Sequence, residues 1–296
     1  MHERERASLV APVRTTHPRM PSGRHNAHAC RRGILHGAVP IYEDIGVSTG
    51  AYANFSLAAA LLRIAEIAPA AEILSIGHHS LLDTANARVV ELAGLPFSVH
   101  GPFMHFEYGS RSSREHRRAL DEHRRHMDAA AGLGAHLYVV HPDLQRRWRG
   151  WDKRVQRTLE ASFDELAGLQ EEYGMTIAVE NLPFVRHTHF RAPGDLDLKG
   201  LGLSLDVGHA AVTGTLSAWL DDGRYRLAHV HLHDNEGHVG GDQHLPLGRG
   251  VIDAAPVLEL ARASGADVVL EHKNEADVME SLRHLEERGL VKRAVR

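Results

Sequence analysis

The sequence is almost without cysteine: Cys30 is the only one in 296 residues. An intrachain disulfide and a thiolate metal cage are therefore excluded, and a reducing, cytoplasmic setting is the expectation. No run of about 18 apolar residues occurs, which excludes an ordinary membrane-spanning helix. The formal net charge of −4 gives no sign of the broad basic surface that nucleic-acid binding normally needs, although a local patch can hide in an acidic total. Two motifs are missing as well. The first strand-like run leads into "GVSTGAYANFS", which is not a G-x-G-x-x-G phosphate loop, and no Ser-His-Asp ordering or nucleophile elbow is present.

Histidine, by contrast, is abundant, at 24 residues. Five fall in the twenty-residue stretch "HVHLHDNEGHVGGDQHLPLG" (229–248), where His229, His231 and His233 alternate. Imidazole suits zinc, manganese and iron alike, so composition alone does not separate a metal site from a polar surface. The first residues, 1–43, are rich in Arg, His and Pro and have no apolar core of the secretory type. They read as a disordered extension or as translation from an upstream start, with an arm that contacts a partner as the alternative. Residues 291–296 read as a short C-terminal tail.

Between them, residues 44–290 carry a regular rhythm. Eight short apolar runs each end in a polar or Gly-containing loop: "DIGVSTG", "AEILSIG", "PFSVHGP", "HLYVVHP", "TIAVENL", "LGLSLDVGH", "LAHVHLHD" and "DVVLEHKN". Amphipathic stretches with apolar residues at i, i+3, i+4 and i+7 stand between them, two closing on a Gly suited to a C-cap. Strands alternating with helices imply right-handed βαβ units and a parallel sheet. Eight units in about 250 residues predict a single-domain α/β fold, the (β/α)8 TIM barrel. The His and Arg run in "SREHRRALDEHRRHMD" reads as the solvated face of a helix.

In such a barrel the site forms at the C-terminal ends of the strands. His100, His141, Glu180, Asp206 (with His209 three residues on), His231 and Glu271 occupy that level on six consecutive strands. Apolar strands do not end in bare buried carboxylates without partners, and a divalent metal is the economical partner for so many acids and imidazoles.

The elements "VHGPF", "VVHPD", "AVENLPF", "SLDVGHA", "HLHDNEG", "DQHLPLGRGVID" and "VLEHKN" resemble the xylose isomerase-like TIM barrel superfamily over about residues 44–285. That group holds sugar and sugar-phosphate isomerases and epimerases, and the endonuclease IV nucleases. The resemblance implies one divalent ion (zinc, manganese, cobalt or magnesium) on Glu180, Asp206, His231 and Glu271. The two glutamates would also act as acid and base, moving a proton between adjacent carbons of a sugar or other polyol through an ene-diolate. The endonuclease branch adds His100, His141, His209, Asp242 and His244, giving nine ligands for up to three ions. The "HLPLG" after Gln243 and the Val-Gly pair inside "DVGH" lean toward the small-molecule members. Phe103 and Met104 fit pocket walls, and are also compatible with a wedge into a base stack.

Further expectations concern the mouth. Lys273, Arg249, Asn181 and Phe103 are candidate substrate-binding residues, Arg249 and Lys273 for a phosphate or carboxylate and Asn181 to orient a metal ligand or a substrate hydroxyl. One of His78 and His79, and His187 with His189, are weaker candidates for the pocket. His229 and His233 share the His231 face and read as buried or supporting groups, while His238 reads as solvent-facing. A lyase or dehydratase using the same metal-assisted enolisation is compatible with the same residues. A homo-oligomer is compatible with the sequence.

Overall fold

A computed structural model describes residues 42–103, 108–110, 112–142, 152–183 and 188–294. Residues 1–41 of the expected extension, together with Met104 and His187, lie outside the described residues. Each apolar run contains one strand: β1 (Gly46–Ser48), β2 (Ala71–Leu74), β3 (Phe97–His100), β4 (Leu137–Val140), β5 (Thr176–Glu180), β6 (Gly202–Asp206), β7 (Leu227–Leu232) and β8 (Asp267–Leu270). They pair in parallel, in sequence order, and β8 returns to β1, so the sheet closes into an eight-stranded TIM barrel. Tyr42 pairs with Arg293 in an antiparallel bridge, fastening the start of the described chain to residues that sequence patterning read as a tail.

The helices are α1 (Leu57–Ile67), α2 (Thr84–Ala93), α3 (Ser113–Leu133), α4 (Lys153–Tyr173), α5 (Val207–Thr213), α6 (Leu216–Leu220), α7 (Ala254–Ser264) and α8 (Glu275–Glu287). Gly134 and Gly174 cap α3 and α4 in the left-handed conformation, as the sequence implied. One unit departs from the expected rhythm. Among the described residues no helix joins β5 to β6, and β6 is followed by two short ones. Pro193, Gly194 and Gly200 interrupt that connection, and Phe190, Leu196 and Leu198 bury it as loop instead.

The main apolar core lies between strands and helices, where Val99, Tyr138, Ile177, Val179, Leu205, Val230 and Leu232 are fully buried. Each such aliphatic side chain contributes roughly 1.5–3 kcal/mol. Helix α3 corrects one expectation. Its arginines are exposed, but Ala119, His123, His126, Met127 and Ala130 form a buried stripe at helical spacing. Two histidines read as solvated thus face the barrel.

The lumen follows a different chemistry. Residues paired across parallel strands share a side, and Ser48, Glu72 and Ser98 pair in one row. A register shift between Leu203 and Ser204 moves the β7 partner from Leu227 to His229, leaving Ala228 as the extra residue. That irregularity sets His229 beside Ser204 and His231 beside Asp206. Bulges re-aim side chains in this way near functional sites.

Candidate metal centre

Strand ends deliver the acidic and imidazole side chains to one place. His100, Glu180 and Asp206 are the last residues of β3, β5 and β6, His231 lies in β7, and His141 and Glu271 directly follow β4 and β8. Glu180, Asp206 and His231 are buried at 1%, 0% and 0% exposure, whereas the Glu271 side chain keeps 20%. The His231 Nδ1 stands 3.3 Å from Glu271, 3.4 Å from Glu180 and 3.8 Å from Asp206. On one flank His100 and His141 each bring Nε2 to 3.2 Å from Glu180 Oε2. On the other, Asp242 lies 3.6 Å from His209 Nε2 and 3.0 Å from His244 Nε2. Among the described residues five sets hold candidate ligand atoms within 4.8 Å of one another: Glu180–Asp206–His231, His100–His141–Glu180, His209–Asp242–His244, His233–His244–Glu271 and, one layer deeper, Glu72–His229–His231.

Ring orientation tests whether these residues fit a cation. His100, His209 and His244 direct Nδ1 at the carbonyls of Gly101, Asn181 and Glu271, at 2.8, 2.8 and 3.1 Å. A carbonyl only accepts, so each Nδ1 carries the hydrogen and a neutral ring turns the lone pair of Nε2 inward. His231 is reversed: Nε2 meets Glu72 at 3.0 Å, and Nδ1, without a hydrogen-bond partner, faces carboxylates. A lone pair against carboxylate oxygens is repulsive unless a proton on Nδ1 or a metal ion stands between them, so the position takes up one or the other. Mixed imidazole and carboxylate donors with these fixed orientations suit zinc or a similar divalent ion.

Protonation follows the same geometry. Burial alone would raise Glu180, but His141 and His231, with hydrogen bonds from His100 and His141, hold it well below the usual carboxylate range. Asp206 is likewise pushed up by burial and brought down by His209 and His233. Burial lowers His209 and His231, but facing carboxylates leave both well above the ordinary imidazole value. His244, also lowered by burial, is lifted to about 9, with Asp242 the chief cause. His141 differs, because burial outweighs Glu180 and leaves it lowered. A cation entering this set takes the place of those ring protons.

Local sequence explains the placement. Asp206 caps α5, accepting from the His209 N–H at 2.7 Å, so the D-x-x-H spacing is an N-cap and its third helical residue. Between them, a Cβ on Gly208 would overlap the His233 ring, whose Nε2 is 3.1 Å from both Asp206 oxygens. The loop carrying Asp242 and His244 hangs on Asp234. That carboxylate accepts from the N–H groups of Asn235, Gly248, Gly250 and Ile252, at 2.8–2.9 Å. His244 itself has φ +53°, an uncommon conformation for a non-glycine residue that this anchored loop sustains.

The remaining expected residues divide. Phe103 stacks on His141 at 4.9 Å between ring centroids. Asn181 is not at the substrate surface: fully buried, its amide donates to Asp206 O and accepts from Asp206 N, which clamps β5 to β6. Arg249 pairs with Glu280 of α8 and lines a separate surface hollow with Glu280, Arg283 and His284. Lys273 is exposed on the segment after β8. His229 and His233 are buried and His238 exposed. His79 is buried with Nε2 3.0 Å from the Phe55 carbonyl, while His78 is exposed. Sequence reasoning missed Glu72 and Asp234. A lone carboxylate in the apolar strand "AEIL" was the available signal for Glu72, the same one that marks "TIAVE".

Comparison with known proteins agrees with the barrel fold. An uncharacterized protein of Methanocaldococcus jannaschii is 29% identical over 259 residues, covering 82% of this chain and 88% of the relative. A probable endonuclease 4 of Mycobacterium leprae is 27% identical over 207 residues, covering 64% and 78%. Among solved structures, a D-tagatose 3-epimerase-like protein superposes with a TM-score of 0.71 at 29% identity, over 82% of this chain and 96% of that one. The family model for the xylose isomerase-like TIM barrel matches residues 74–288, and the chain belongs to that family.

Proposed function

We propose that the protein is a divalent-metal-dependent isomerase or epimerase of a sugar or a related polyhydroxylated small molecule. The observation that carries this reading is the unpartnered His231 Nδ1 set among Glu180, Asp206 and Glu271. These four residues would hold the principal ion. The ion supplies Lewis-acid polarisation of substrate oxygens, which acidifies the adjoining C–H bond. Glu271, the more open of the two glutamates, would take and return a proton on substrate entering from the mouth. Glu180 is enclosed by imidazoles and would reach substrate only from the deep side. Phe103 would exclude water along one wall, and Lys273 would meet an anionic group outside it.

The test is exchange of substrate C–H protons with deuterated solvent across a panel of ketoses and their phosphates. Glu271→Gln should reduce exchange by about 10³-fold or more while leaving an ion bound. Absence of exchange across the panel in metal-loaded protein would sink the reading. A second reading, a three-ion phosphodiesterase on abasic DNA, is favoured by one observation. The flanking sets His100–His141–Glu180 and His209–Asp242–His244 supply further ligands. Incision of an abasic duplex by protein carrying about three ions per chain would support it, and intact duplex would remove it.

A further inference from the structure

We propose that Glu72, in the floor of the barrel, is a positioning residue that fixes His231 with Nδ1 toward the ion, and that His229 holds Glu72 for this task. The inference rests on the metal-dependent reading above. Glu72 is fully buried in β2, and neither Lys nor Arg pairs with it among the described residues. Its Oε2 instead receives the Nε2 of His229 and the Nε2 of His231, both at 3.0 Å. An ionised carboxylate only accepts, so both rings carry hydrogen on Nε2. The lone pair of a neutral His231 is thereby confined to Nδ1, the atom that faces Glu180, Asp206 and Glu271. Turning the ring over would break the bond to Glu72 and aim an N–H at the ion.

Packing reinforces the choice. His231 lies edge-on to His229 at 4.9 Å and stacks on His100 at 5.6 Å, so the ring is held from two sides. The register shift in β6–β7 puts both histidines on the lumen side, which is what allows one carboxylate to serve both. Glu72 also places a full negative charge one ring away from the cation, which strengthens Nδ1 as a donor. A buried ion pair kept for the fold alone would give none of these metal-linked effects.

The experiment compares wild type, Glu72→Gln and His229→Gln as full chains, with zinc and cobalt(II) as probes and no substrate. Glu72→Gln should keep the wild-type circular dichroism without metal, bind zinc about 10–100-fold more weakly and shift the visible bands of the cobalt protein. His229→Gln should weaken zinc binding by a few-fold only. Wild-type affinity and an unchanged cobalt spectrum in a folded Glu72→Gln protein would overturn the proposal. Should that variant not fold, ring ¹⁵N spectra of zinc-loaded wild type decide. A protonated Nε2 on His231 supports the role, and a protonated Nδ1 overturns it. Wild type that takes up neither ion overturns this inference and the metal-dependent reading together. Wild type that binds the ions but exchanges no sugar proton removes only the proposed reaction.

Discussion

His123 and His231 are equally shut away from water, at 1% and 0% exposure, yet they stand in opposite electrostatic settings. His123, on α3 behind the barrel wall, meets the Tyr138 hydroxyl at 3.2 Å and the Tyr108 ring at 4.8 Å. Burial, with the imidazoles of His126, His141 and His100 behind it, drives its pKa down to about 3. His231 pays the same burial penalty, but Glu271, Glu72 and Glu180 lift it well above the ordinary value. The number of buried histidines therefore says little about a site. The carboxylates facing an imidazole decide whether it packs as a neutral ring or belongs to a cation-binding set.

The comparison extends to His244, which faces carboxylates as His231 does but rides on a loop. The largest effect is expected where that loop is anchored. Asp234→Ala leaves four backbone N–H groups without their acceptor, and should cost about 4 kcal/mol of stability by urea titration. Hydrogen exchange should rise across residues 235–252 before it rises in the strands. An unchanged urea midpoint would show that the loop holds itself. Next comes the direct contrast. His231→Gln should weaken zinc binding at least about 100-fold, or roughly 2.7 kcal/mol, since it removes a ligand rather than a supporting group. His123→Gln should leave zinc affinity at the wild-type value. Equal losses in both variants would erase the distinction between the two settings.

Much of the barrel was readable because strand and helix periods are local properties, and all eight runs hold a strand. The polar ends of those strands were readable for the same reason. Position in a βα unit fixes height in the barrel, and so brings Glu180, Asp206 and His231 together. What escaped depends on contacts between distant segments. Asn181 reads as orienting either a ligand or a substrate hydroxyl beside Glu180, and only the contact of its amide with the backbone of β6, twenty-five residues away, separates the two. Glu72 and its histidines are separated by more than 150 residues, and a register shift invisible in either strand brings them together. His123 and His126 were hidden among arginines, because a mixed run does not say which residues turn inward until the phase of the helix is known.

The smallest of the expected effects tests the outer half of the comparison through pH. The metal-free protein is the right sample, since no ion uptake then enters the measurement. Unfolded, His123 titrates near 6.5; folded, it stays neutral until about pH 3. Below pH 6.5 the unfolded chain therefore binds a proton that the native chain refuses. Stability contributed by the neutral ring is whole above pH 6.5 and is lost progressively as pH falls toward 3. Between pH 7 and pH 5 the loss from this one group should be about 2 kcal/mol. His123→Gln keeps a polar partner for the Tyr138 hydroxyl and has nothing to titrate. Its urea midpoint should lie closer to wild type at pH 5 than at pH 7. A variant whose midpoint falls in parallel with wild type over that range would place the acid sensitivity elsewhere, and His123 would then be no more than a packed ring.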